Sequence, residues 1–239
     1  MKKLFILLLL FPFLSFSQSK NVVNSFKLIA KPDKSIEFEK GFAAHVKKYH
    51  NGPWKWRVYE IHTGPDAGAY LVTEGPYTWD EFDTRGSLGA AHTEDWNKNV
   101  EAYTTGVSFT SYNIFDVKNS TVKMTDYSDK IVINHINPKP GMVKGVNSLI
   151  EKMKRVWEIS NESVAVYTAA VSGEPEVTYV TRLKAGLKEL DESYRKPFSE
   201  RYNAIYGEGA WDTFLADYAK FVEKRSSELL YYRADLSSK

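Results

Sequence analysis

Residues 56–74 read WRVYEIHTGPDAGAYLVTE, and residues 164–182 read VAVYTAAVSGEPEVTYVTR. Each is a pair of β-branched and aromatic runs around a turn. In the first, residues 56–62 and 69–74 flank Gly64-Pro65-Asp66; in the second, residues 164–171 and 177–182 flank Ser172-Gly173-Glu174-Pro175. Both predict a β-hairpin. The same shift of 108 residues lays Lys31-Pro32 on Lys139-Pro140, Val58-Tyr59 on Val166-Tyr167 and Val72-Thr73 on Val180-Thr181. It also lays Glu81 and Asp83 on Glu189 and Asp191, and the hydrophobic pattern follows it without a gap over residues 24–83. The chain therefore reads as two copies of one unit.

Upstream of each hairpin stands an alternating strand, residues 26–30 and 131–136, each followed by a proline that cannot donate to a ladder. A helix comes next. Phe38, Phe42, His45 and Tyr49 form one helical stripe, and Val146, Ile150, Met153 and Trp157 repeat it. Downstream, Trp96, Val100, Tyr103 and Val107 predict a second helix in the first copy. Trp211, Phe214, Leu215, Tyr218 and Val222 do so in the second, where the shift has grown to 119 and breaks fall at Pro197 and Gly207-Glu208-Gly209. Closing strands are expected over residues 110–117 and 228–236.

The order β-α-β-β-α-β is that of a ferredoxin-like unit. In element order and hydrophobic spacing the chain resembles the tandem, fused form of the dimeric α+β barrel superfamily. The resemblance implies an α+β fold, two ferredoxin-like repeats forming a pseudo-dimeric α+β barrel. The expected division is a signal peptide over 1–17, a first repeat over 18–118, a polar linker over 119–129 and a second repeat over 130–239.

The N-terminus predicts export. Lys2 and Lys3 precede an apolar run at residues 4–14, and Ser15-Phe16-Ser17 offers a small-x-small cleavage site before Gln18. The mature chain is expected in the periplasm or the medium. The apolar run is too short to span a bilayer, and no later stretch approaches the ~20 residues required. Cysteine is absent, so neither disulfides nor a lipidated cysteine can hold or anchor the fold. Loss of Lys2 and Lys3 would leave 30 basic against 30 acidic residues, a balance that argues against nucleic acid as a partner. Nothing in the residues implies an oligomeric state.

Strand alternation selects the site candidates. Arg57, Tyr59 and Ile61 share one side of their strand; Trp56, Val58, Glu60 and His62 share the other. The 108-residue shift makes Tyr59 equivalent to Tyr167, and Lys27 equivalent to His135. The recurrence of polar residues favours the Arg57/Tyr59 side as the cavity face. Candidate ligand-binding residues are therefore His135, Tyr59, Tyr167 and Arg57, with His62 added as a strand histidine. The ligand class expected is a small apolar or aromatic molecule. Trp54, Trp56, Tyr70, Tyr77, Trp79 and Trp96, around the glycine-rich residues 86–91, offer either an aromatic ligand wall or ordinary core packing.

No phosphate loop, nucleophile elbow or metal-ligand spacing is present. His45 reads as a core histidine, His50 as a helix-end residue and His92 as part of a helix-capping region. No metal site and no cofactor are expected. Two activities remain open: a binding protein without chemistry, and a cofactor-independent monooxygenase of the kind the superfamily resemblance suggests. The resemblance also reaches haem enzymes, for which the second copy offers only His135, on a strand.

Overall fold

The computed structural model describes residues 19–239 except Ser172, and for residues 106–108 the backbone alone. The expected signal segment and its cleavage site lie outside the described residues. No helix among the described residues is long and apolar enough to cross a membrane.

Eight strands form a closed antiparallel barrel: β1 (Val22–Ala30), β2 (Trp56–Ile61), β3 (Tyr70–Tyr77), β4 (Thr104–Phe115), β5 (Lys130–Pro138), β6 (Val164–Val171), β7 (Val177–Arg182) and β8 (Val222–Tyr232). Around the barrel the order is β1-β3-β2-β8-β5-β7-β6-β4. The first half thus runs β4-β1-β3-β2 and the second β8-β5-β7-β6. Two seams join the halves. One pairs Tyr59, Glu60 and Ile61 with Tyr232, Tyr231 and Leu230; the other pairs residues 112–115 of β4 with β6. Closure leaves no unpaired sheet edge.

Among the described residues six α-helices accompany the strands: α1 (Ser35–Tyr49), α2 (Trp79–Thr84), α3 (Ala90–Asn99), α4 (Val143–Ile159), α5 (Phe198–Tyr206) and α6 (Ala210–Phe221). Alternation along each strand splits the side chains between two environments. Trp56 and Val58 point outward to Phe38, Phe42 and Val46 of α1, forming one helix–sheet core. Val164, Val166 and Ile136 do the same against α4, α5 and α6. Their neighbours Tyr59, Ile131 and Ile133 point into the barrel.

Three expectations are corrected by long-range pairing. Strand β4 starts six residues earlier than predicted, so Val107 is strand and not the end of a helical stripe; Thr104 is held opposite Ala30 of β1. Strand β8 also starts six residues early, because β5 offers it a ladder from Lys130 to Pro138. Leu236, expected at its end, instead packs into the α1-side core. On α6, Phe214 is buried but Leu215 is exposed, so the predicted stripe was one residue too wide.

The segment 119–129 is tied to the barrel. Ser120 Oγ and Thr121 Oγ1 accept the backbone N–H groups of Val166 and Val164, and Met124 is buried beside Ala165 and Phe115. Its polar residues bond the backbone at the start of β6, beyond the stretch that β4 pairs, a role that composition alone does not distinguish from a linker.

Candidate functional site

A cavity of about 740 Å³ occupies the barrel interior. His135, Tyr59, Tyr167 and Arg57 all line it, as does Lys27. The inward set on β2 is Arg57 and Tyr59, as the alternation argument selected. His62 is placed elsewhere: it is exposed at the end of β2, stacked on Tyr231 with ring centroids 4.0 Å apart. It follows Ile61, the last residue of β2, and in the alternation it shares the side of Trp56 and Val58, away from the cavity. None of the six aromatic residues around 86–91 lines the cavity. Trp56, Tyr70 and Trp96 belong to the α1-side core, and Trp54 packs on Tyr77 and Phe82.

One part of the cavity wall is a chain of paired charges. Lys27 Nζ donates to Asp66 Oδ2 at 2.5 Å and to Glu228 Oε1 at 3.2 Å. His135 Nδ1 lies 2.9 Å from Glu176 Oε1, and its Nε2 lies 3.6 Å from Glu228 Oε2. Thr178 Oγ1 donates to the same Glu176 oxygen. Burial pulls the His135 pKa down, but the hydrogen bonds and charges of Glu176 and Glu228 more than offset it and push it up to about 9. The carboxylates answer in the opposite sense: burial raises them, and the neighbouring cations bring Glu228 and Glu176 below the usual range. His135 is thus an imidazolium held between two carboxylates. The second carboxylate, Glu228, is almost fully buried and serves both cations, which sequence spacing could not reveal because it lies 201 residues from Lys27.

The other pole is cationic and aromatic. The Arg57 guanidinium sits 3.6 Å from the Tyr127 ring centroid and 4.7 Å from that of Tyr232, and makes no ion pair among the described residues. Arg182, also in the wall, donates to the carbonyls of Lys123 and Met124. Tyr59 donates its hydroxyl to Ser128 O at 3.1 Å, and burial pushes its pKa up to about 12. Tyr167 is likewise raised by burial and packs on Phe115. Arg182 and Tyr127 were missed by the sequence reading. Tyr127 lies in the segment taken for a linker, and Arg182 at the end of a strand whose inward set was not extended that far.

The remaining histidines lie outside the cavity and come together. His45 is fully buried on α1, His50 follows that helix, and His92 lies on α3. Burial lowers all three below the ordinary imidazole range, His50 to about 3.

No protein-family model and no curated protein sequence matches this chain. Solved structures match its fold. A candidate monooxygenase from Fusobacterium nucleatum superposes with a TM-score of 0.53 at 11% identity, over 88% of this chain and 91% of that one. A candidate monooxygenase from Lactobacillus acidophilus gives 0.52 at 10% identity, over 92% and 96%. A candidate chlorite dismutase gives 0.53 at 11% identity, over 90% and 96%. At these identities the likeness is one of fold: a mixed α+β fold around a closed eight-stranded antiparallel barrel.

Haem, to which the sequence resemblance reached, does not suit the cavity residues. An axial histidine must present a neutral nitrogen to iron. The one histidine lining the cavity among the described residues, His135, turns Nδ1 to Glu176 at 2.9 Å and Nε2 toward Glu228 at 3.6 Å, so neither nitrogen faces open space.

Proposed function

We propose that this protein binds a small, largely aromatic molecule carrying an anionic group inside the barrel, with Arg57 as its charged anchor. The observation that carries this reading is the Arg57 guanidinium: it faces a 740 Å³ cavity against two aromatic rings and lacks a carboxylate partner among the described residues. Guanidinium groups favour planar carboxylate and phosphate partners, and Tyr127, Tyr59 and Tyr167 supply flat apolar walls. The Lys27–His135 chain sets three carboxylates (Asp66, Glu176 and Glu228) against two cations, so it shapes the cavity and offers no attraction to an anion. The N-terminal pattern would place this binding outside the cytoplasm.

We read the two halves as a fused duplication, each half one ferredoxin-like unit. Support comes from their equal strand orders, and from the shift of 108 residues that brings Tyr59 with Tyr167, and Lys27 with His135, to one interior.

Calorimetric titration with naphthoate-type carboxylates and their neutral amides tests the binding reading. The acids should bind, the amides should bind about 10–100-fold more weakly, and Arg57→Met should erase the difference. Equal affinity for acid and amide would overturn it. A second reading, cofactor-independent monooxygenation of an activated aromatic, is favoured by the fold shared with two candidate monooxygenases. Oxygen uptake with a polycyclic phenol, retained without added metal or cofactor, would select it.

A further inference from the structure

Outside the cavity, three imidazoles from two helices converge where sequence spacing shows no metal motif. His45 Nε2 and His92 Nε2 lie 3.2 Å apart, and the potential ligand nitrogens of His45, His50 and His92 all fall within 4.8 Å of one another. Two ligands bound at 2.0–2.1 Å in a tetrahedral site stand about 3.3 Å apart, so the first pair already has the required separation.

The outer hydrogen bonds set the tautomers. His50 Nδ1 lies 3.3 Å from the Trp54 carbonyl, which can only accept, so Nδ1 carries the proton. Its Nε2 is then a bare lone pair, fully buried and without a hydrogen-bond partner. His45 Nδ1 lies 2.8 Å from Asp95 Oδ2 and donates to it, which leaves His45 Nε2 as a second lone pair. A carboxylate or carbonyl behind each ring is the arrangement that orients metal-ligating histidines.

The surroundings hold this geometry. Trp56 stacks on the His50 ring with centroids 3.4 Å apart, and Trp96 packs edge-on against His45. The nearby Arg85 is paired with Glu74 at 3.0 Å, and Lys48 lies 3.8 Å from Asp95, the carboxylate that also orients His45. His92 is half-exposed, which leaves a way in.

We propose that His45, His50 and His92 form a binding site for one divalent transition-metal ion of the zinc class, clamping α3 to α1 with a fourth coordination position open beside His92. The widest nitrogen separation would close by about 1.5 Å on binding. Neutral imidazoles suit zinc, copper and nickel, and do not suit magnesium or calcium. The open fourth position would hold water, as in three-histidine zinc sites.

The test uses the mature chain stripped with chelator, titrated calorimetrically with zinc chloride and followed in parallel by thermal melting. One ion per chain should bind with a Kd in the micromolar range or tighter, and should raise Tm; magnesium should do neither. His92→Ala removes a half-exposed ligand, so it should fold, as circular dichroism will show, and bind zinc at least about 100-fold more weakly. His92→Gln serves as a second variant with the same expectation. Asp95→Asn should weaken binding about tenfold by loosening His45. Arg57→Met should leave zinc binding unchanged, which separates this site from the cavity. Absence of zinc binding to the wild-type chain, or unaltered affinity in either His92 variant, would overturn the proposal.

Discussion

Gly41 of α1 lies so close to the end of α3 that a Cβ built on it would stand 1.8 Å from the Asn99 carbonyl oxygen. The contact is with backbone and cannot be relieved by rotating a side chain. It lets α1 and α3 approach closely enough for His45 to meet His92 and Asp95. Gly41→Ala should therefore destabilise the fold by about 1–3 kcal/mol, despite alanine's better helix propensity. Urea melts measure it. A stabilised Gly41→Ala would mean that the helices can part without cost.

The cavity's charge chain predicts a pH signature. His135 is raised from 6.5 to about 9 in the fold, so its contribution to stability is complete below pH 6.5 and is lost as pH climbs through 9. Glu176 and Glu228 are lowered from 4.5, so theirs is present above 4.5 and lost as pH falls. These groups together favour a plateau between pH 4.5 and 6.5. The alkaline loss should be on the order of 2 kcal/mol; His135→Gln should remove it and also weaken the acid limb, because His135 is the main group holding Glu176 and Glu228 down. An unchanged alkaline limb in His135→Gln would exclude His135 as its source.

Helix α6 separates two adjacent apolar residues. Phe214 is 3% exposed among Tyr202, Trp211 and the outer face of the sheet, whereas Leu215 is 46% exposed. Phe214→Ala should cost about 3–5 kcal/mol and Leu215→Ala about 0.5 kcal/mol. Comparable losses in denaturant melts would contradict the helix's orientation.

What the sequence made legible follows from what repeats. Period-two alternation placed Arg57 and Tyr59 inside and Trp56 and Val58 outside, because a barrel closed by helices on its outer face leaves each strand only two environments. The 108-residue shift carried the same assignment to Tyr167 and His135. Features that depend on pairing between distant segments were not legible. Examples are the early starts of β4 and β8, the placement of Tyr127 in the cavity, and Glu228 bridging Lys27 and His135. The convergence of His45, His50 and His92 was hidden for the same reason, since it needs α1 and α3 to be adjacent. His62 was added as a strand histidine although it shares the side of Trp56 and Val58, and it is that outer side the structure gives it.

The two cavity arginines should respond differently to removal. Arg182 donates to the carbonyls of Lys123 and Met124 at 2.8 and 2.9 Å, so it ties the 119–129 segment across the barrel. Arg182→Met would leave the Met124 carbonyl, at a buried residue, without its donor and release that segment; a loss of about 2–4 kcal/mol is expected. Arg57 makes ring contacts, which contribute about 0.5–2 kcal/mol, lies beside the Tyr59 hydroxyl and makes no ion pair among the described residues, so its removal also relieves the burial of an unneutralised charge. Arg57→Met should therefore change stability by no more than about 1 kcal/mol in either direction. A small structural contribution is what the proposed role of Arg57 as a ligand anchor requires. If chemical denaturation instead showed Arg57→Met to be as damaging as Arg182→Met, the Arg57 guanidinium would be a strut of the barrel, and the anion-binding reading would lose its support.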